Sequence, residues 1–131
     1  MDVELKIQPD KKIVLSSFVN IMDGSGSCSL SIQSGRFSYS TGEFYFDCLY
    51  KFTNEVKQMY QSLSGSAELN YHYEREYLKF EAKSMGHIEF SGEFIEYGEI
   101  QQELSCGFIF DQSYLPNFIE QLERVIQTKY S

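Results

Sequence analysis

Apolar side chains recur at every second position in the first part of the chain, then at steps of four and three, then at every second position again, and last at helical steps once more. A period of two puts successive side chains on opposite faces of a strand, whereas steps of three and four gather them on one stripe of a helix. The order of elements is therefore strands, helix, strands, helix.

Val3, Leu5 and Ile7 alternate with Asp2, Glu4 and Lys6 and predict a half-buried strand ending at Pro9-Asp10. A second strand from Lys12 to Met22 carries Ile13, Leu15, Ser17, Val19 and Ile21 on one face, with Val14, Phe18 and Met22 on the other. After the turn Asp23-Gly24-Ser25-Gly26, Cys28, Leu30 and Ile32 oppose Ser27, Ser29 and Ser31, so one face packs and the other is a hydroxyl surface. Arg36 to Ser40 can supply a fourth strand. Tyr45, Leu49, Phe52, Val56, Met59 and Leu63 share one stripe of a helix of about five turns. Thr41 or Ser40 would cap it, Glu43 would sit in its first turn, and Gly65 lies just past its end.

Period two resumes with Ala67, Leu69, Tyr71 and Tyr73, turns at Glu74-Arg75, and continues through Leu78, Phe80 and Ala82. Ile88, Phe90, Gly92 and Phe94, then Ile100, Gln102, Leu104, Cys106, Phe108 and Phe110, complete a meander of four strands. Leu115, Phe118, Ile119, Leu122 and Ile126 form the stripe of a last helix from about Ser113 to Lys129, with Asp111 or Ser113 as its cap and Pro116 in its first turn. Helices with one apolar stripe cover one face of a sheet and leave the other in water. The expected class is α+β: one domain over residues 1–131, with a mostly antiparallel sheet of about seven to eight strands covered on one face by two helices.

The hairpin from His87 to Asp111 can be solved for register, because even-numbered residues are apolar on both arms and opposed residues share a face. A three-residue loop Glu96-Tyr97-Gly98 pairs Phe94 with Ile100, Phe90 with Leu104 and Ile88 with Cys106 on the buried side. Outside, it pairs Ser91 with Glu103 and sets Glu89 and Glu93 diagonally beside Glu103. With Glu96, Glu99 and His87 at the ends this is an acidic strip, either a solvated face balanced by Lys79 and Lys83 or a docking surface for a basic protein. Ile95 and Ile109 among the acids and Tyr97 at the tip favour docking, since apolar and aromatic side chains anchor interfaces.

Net charge settles which partners suit such a strip. The chain has 19 acidic and 11 basic residues, a net charge of -8, which argues against a nucleic-acid backbone and for a basic partner. Cysteines 28, 48 and 106 form no CxxC pair and an odd set, so a reducing compartment is expected, with all three as small core residues. No signal peptide and no apolar run long enough to span a membrane is visible, so a cytoplasmic location is expected. His72 and His87 fall on outward positions without a carboxylate or cysteine at ligand spacing, so no metal site is expected. The paired acids lie on an open face that offers no desolvation to separate their pKa values, and no phosphate-loop, dinucleotide, nucleophile-elbow or zincin motif is present. The expectation is a non-enzyme without catalytic residues or cofactor.

The succession LSGSAEL after an amphipathic helix, then EYLKFEAKSMGHIEFSGEFIE and LSCGFIFDQSYLPNFIEQLERVI, resembles small bacterial immunity proteins of the WapI type, which accompany polymorphic toxins. The resemblance spans roughly residues 43 to 130; Gly86-His87 entering a strand and Asp111-Gln112-Ser113-Tyr114-Leu115 entering the last helix are its most distinctive pieces. It implies a protein that binds and neutralises a cognate toxin domain in the producer's cytoplasm without catalysis. A small acidic secretion chaperone is the alternative, but both helices look one-sided and leave little apolar stripe for its usual dimer, so a monomer or weak homodimer is expected. A small-ligand domain with a pocket lined by Tyr71, Tyr73 and Tyr77 is the third reading, and tyrosines at period two are more often sheet packing.

Overall fold

Period-two alternation builds two antiparallel meanders. Val3–Gln8 (β1), Lys11–Met22 (β2), Ser25–Ser34 (β3) and Phe37–Phe46 (β4) pair in that order, as do Ser66–Asn70 (β5), Tyr77–Ala82 (β6), His87–Glu96 (β7) and Gln102–Asp111 (β8). Leu49–Ser62 (α1) joins the two sheets and Leu115–Lys129 (α2) follows the second. The computed structural model describes residues 2–130; residues 1 and 131, the ends of the domain expected from the sequence, lie outside the described residues. The class is α+β with eight strands and two helices among the described residues, and the strands divide into two sheets where one was expected. At the division, Asp47 N–H just past β4 donates to the Asn70 carbonyl of β5 at 2.8 Å.

Both sheets and both helices contribute to one hydrophobic core. Phe80 lies at its centre, its ring 5.6 to 6.0 Å from those of Phe52, Phe90, Phe110 and Phe118. Tyr39 of β4 stacks on Phe94 of β7 at 4.5 Å and ties one sheet to the other.

Three local expectations are corrected. The first helix begins at Leu49, not near Tyr45: Cys48 is extended and its Sγ accepts from the Lys51 N–H, while Ser40, Thr41 and Glu43 lie within β4. Phe44 and Phe46 are both buried, and only a strand puts residues two apart on the same face. Leu63 is the left-handed C-cap of α1 and is 46% exposed. Strand β5 ends at Asn70, so Tyr71 and Tyr73 belong to a loop. The hairpin register is shifted: the loop spans residues 97–101, and Phe94 pairs with Leu104, Phe90 with Phe108 and Ile88 with Phe110. The predicted parity is right, but this register lays the rings of Phe108 and Phe110 over Phe90 and Ile88 instead of leaving them beyond the partner strand, which buries more apolar area. Ile100, expected inside, is 75% exposed on the loop.

The last helix follows the sequence more closely. Asp111 accepts from Ser113 N–H at 2.8 Å and caps a short 3-10 turn, after which Pro116 falls in the first turn of α2. Its buried stripe includes Val125, with Ile126 only partly buried. Gln121 also guards the free edge of β1, accepting from Glu4 N–H at 2.8 Å and donating to the Glu4 carbonyl at 3.0 Å. On the edge strand β8, Ser34 Oγ makes the same two-sided contact with Gly107, donating at 3.0 Å and accepting at 3.2 Å. Side chains that occupy edge backbone groups block pairing with another chain at those points.

Candidate functional site

Alternation sets Glu89, Ser91 and Glu93 of β7 on the open face of the second sheet, beside Tyr77, Lys79 and Glu81 of β6 and Glu103, Ser105 and Ile109 of β8. The rows read Glu81-Glu89-Ile109, Lys79-Ser91-Gly107 and Tyr77-Glu93-Ser105, with Ile95 opposite Glu103. Glu93 and Glu103 are therefore diagonal neighbours, but Glu89 stands at the other end of the ribbon. The tight three-acid strip inferred from the sequence register is thus drawn out along the face.

The acids carry partial counter-charge. Lys83 Nζ lies 3.0 Å from Glu81 and 3.5 Å from Glu89, and the pairing holds the Glu81 carboxyl below its ordinary value and the Lys83 amine above its own. Arg75 binds Glu103 at 2.6 Å. Such exposed pairs contribute little, because solvent screens them, so cations of a partner can replace them at little cost. Glu93 faces hydroxyls: Ser105 Oγ lies 3.5 Å away, and the Tyr77 hydroxyl pKa is raised first by desolvation and then by its hydrogen bond to Glu93.

Ile95 does not belong to the exposed set. It is 8% exposed, and its N–H donates at 3.0 Å to Glu76 Oε2, which also accepts from the Tyr39 hydroxyl at 3.1 Å. Ile109 is 51% exposed next to Glu89, as expected. At the hairpin tip Tyr97 and Ile100 are exposed among Glu96 and Glu99, and Gln102 donates to Glu96 at 3.3 Å. A groove of about 600 Å³ separates this end from residues Ser38 to Thr41 of β4.

Tyr39 and Tyr130 give this architecture an alkaline signature. Desolvation, reinforced for Tyr39 by Glu76, pushes both hydroxyls up to about 12. A folded-state pKa raised above the unfolded value of about 10 adds stability that is complete below pH 10 and lost as pH rises toward 12. In a phenolate-absorbance titration, undistorted by tryptophan, these two should ionise last and together with unfolding; ionisation near pH 10 without unfolding would contradict the Tyr39-Glu76 contact.

Several neighbours that sequence spacing did not suggest come together in the fold. His72 does have a carboxylate beside it: its Nδ1 is 2.7 Å from Asp47 Oδ1, and its N–H donates to Asp47 Oδ2 at 2.9 Å. Arg75 and Glu76 reach β8 and β7 from the same loop. The run Tyr71-His72-Tyr73-Glu74-Arg75-Glu76 was the available signal, since its rings alternate with polar groups and no aliphatic residue interrupts it. Cys28 is buried and its thiol is pushed up to about 12, and burial also raises Cys106, so both are poor nucleophiles at neutral pH. Cys48 caps α1 rather than filling the core. No group of three or more His, Cys, Asp or Glu among the described residues is placed to hold a metal ion. No helix among the described residues is long and apolar enough to cross a membrane.

A model described as the Immunity protein WapI-like family matches residues 24–129, from the β2–β3 turn to the last residue of α2. The chain belongs to the WapI-like immunity protein family. The match begins earlier than the resemblance seen from residue 43, so β3 and β4 are part of what the WapI-like chain shares with its family. No curated protein and no solved structure gives a match.

Proposed function

We propose that this WapI-like chain is a non-catalytic bacterial immunity protein that binds and neutralises a cognate toxin domain in the cytoplasm of the cell making both. Membership of the immunity family carries the reading. The net charge of -8 and the acids at the β7–β8 end suit a basic toxin, because an acidic surface raises the rate at which a basic partner is captured. Tyr97 and Ile100 supply exposed apolar surface beside those acids. Inhibition follows from occlusion, which needs tight contact and no reacting group on this chain.

The test pairs the purified chain with the toxin domain encoded beside it. Glu93→Lys, Glu96→Lys and Glu99→Lys together should slow association about 10- to 100-fold at low salt, with the gap narrowing as salt rises. An unchanged association rate would remove this end of the ribbon from the interface and leave the immunity role standing. A neighbouring toxin domain that is neither bound nor inhibited would overturn the role itself.

A further inference from the structure

A second surface lies where the far end of β2 meets the loop after β5. Ile21 is 60% exposed, Tyr45 37% and Tyr73 77%, an unusual concentration of large apolar side chains in water. The rings form a chain: Tyr45 to Tyr71 at 6.0 Å, Tyr71 to Tyr73 at 5.5 Å and His72 to Tyr73 at 3.8 Å between centroids. They are held in place from below. Asp47 takes both the ring and the backbone N–H of His72, Glu74 N–H donates to the Tyr71 carbonyl at 2.8 Å, and the Tyr45 hydroxyl donates to Glu43 at 3.1 Å. Rings fixed before contact lose little entropy on binding, the property of good interface anchors.

Beside them lies a recess of about 330 Å³ whose lining includes Ile21, Ser25, Tyr45, Phe46, Tyr71 and Glu74, while Tyr73 packs on Tyr71 from outside that lining. Its walls are largely aromatic and aliphatic, and Glu74 contributes a carboxylate to the lining. That combination suits a long cationic side chain, whose methylenes lie along apolar surface while its charge meets a ring face and a carboxylate. A planar guanidinium stacks on tyrosine better than an ammonium does.

We propose that this recess receives an arginine side chain of the toxin domain and anchors the complex, while the acids of the β7–β8 end govern how fast it forms. The inference rests on the immunity reading and adds to it a second contact with a different kinetic role. Charge complementarity selects the occupant: Glu43 accepts from Tyr45, Asp47 contacts His72 and Glu74 lines the recess, while Arg75 of the same loop is engaged by Glu103.

The experiment measures association and dissociation of the chain with the neighbouring toxin domain. Ile21→Ser, which removes a wall of the recess, should raise the dissociation rate by about 30-fold, and Tyr73→Ala, which removes the ring packed on Tyr71, by about tenfold, with association unchanged. Glu74→Gln should raise dissociation about tenfold, and Tyr60→Ala on α1 should change nothing. Melting temperatures of the Tyr73, Ile21 and Glu74 variants should stay at the wild-type value, because those side chains are largely exposed. Wild-type dissociation from Tyr73→Ala and Ile21→Ser would overturn the anchor while leaving the immunity role intact. An effect of Tyr73→Ala without one of Glu74→Gln would overturn the cationic occupant. Failure of the wild-type chain to bind would overturn both readings together.

Discussion

Phe80→Ala should cost about 3–5 kcal/mol of folding stability, enough to remove a large share of the 5–15 kcal/mol typical of a domain. Phe80 is 0% exposed and its ring touches four others from α1, β7, β8 and α2. Removing it deletes the transfer energy of the ring and leaves a void whose walls belong to different elements. Those walls cannot collapse together without moving a helix against a sheet. In urea the unfolding midpoint should fall with the slope unchanged, as for a loss of stability without a change in exposed area. Phe80→Leu keeps much of the volume and should recover a good part of the loss. A cost below about 1 kcal/mol would mean that the aromatic cluster does not hold the second sheet to the two helices.

Gly26→Ala should be nearly as damaging, at about 2–4 kcal/mol, for a local reason. A Cβ on Gly26 would sit 2.0 Å from the Val19 carbonyl oxygen and 2.6 Å from the Tyr130 hydroxyl. The irregularity between Ser16 and Val19, with Ser17 at φ 53°, distorts β2 just before Val19, whose carbonyl accepts the Tyr130 hydroxyl at 3.1 Å. A methyl group there must push β2 from β3 and break that hydrogen bond, and backbone cannot move aside as a flexible side chain can. Gly42→Ala is the matched control, since nothing lies within 4 Å of its Cβ position. Thermal melting should show a clear drop for Gly26→Ala and little change for Gly42→Ala.

Where sequence and structure part, the cause is the same each time. The 4-and-3 spacing that located α1 included Tyr45 by coincidence, because one residue at a permitted offset satisfies a helix as well as a strand. The burial of both Phe44 and Phe46 decided for the strand. Tyr71 and Tyr73 continue the alternation of Ala67 and Leu69, but alternation records a face and not a partner, and β6 begins its pairing with β5 at Asn70. Of the acidic surface, the shared outward face of Glu89, Glu93 and Glu103 was legible, as was the exposure of Ile109, Glu96 and Tyr97. The burial of Ile95 was not, nor was the approach of Glu76 from the loop before β6 to its backbone N–H.

The sequence by itself determined the class, the two helices and a count of about seven to eight strands, the face on which most side chains lie, and the family. These follow from periodicity and local composition, which each segment carries within itself. Tertiary structure decided the division into two sheets, the sliding of β8 against β7, and the meeting of Tyr45 with the Tyr71–Tyr73 loop. Sliding by an even number of residues leaves every side chain on its face, so the pattern cannot distinguish the registers. The burial of Phe108 and Phe110 against Phe90 and Ile88 can, and that requires the whole core to be assembled.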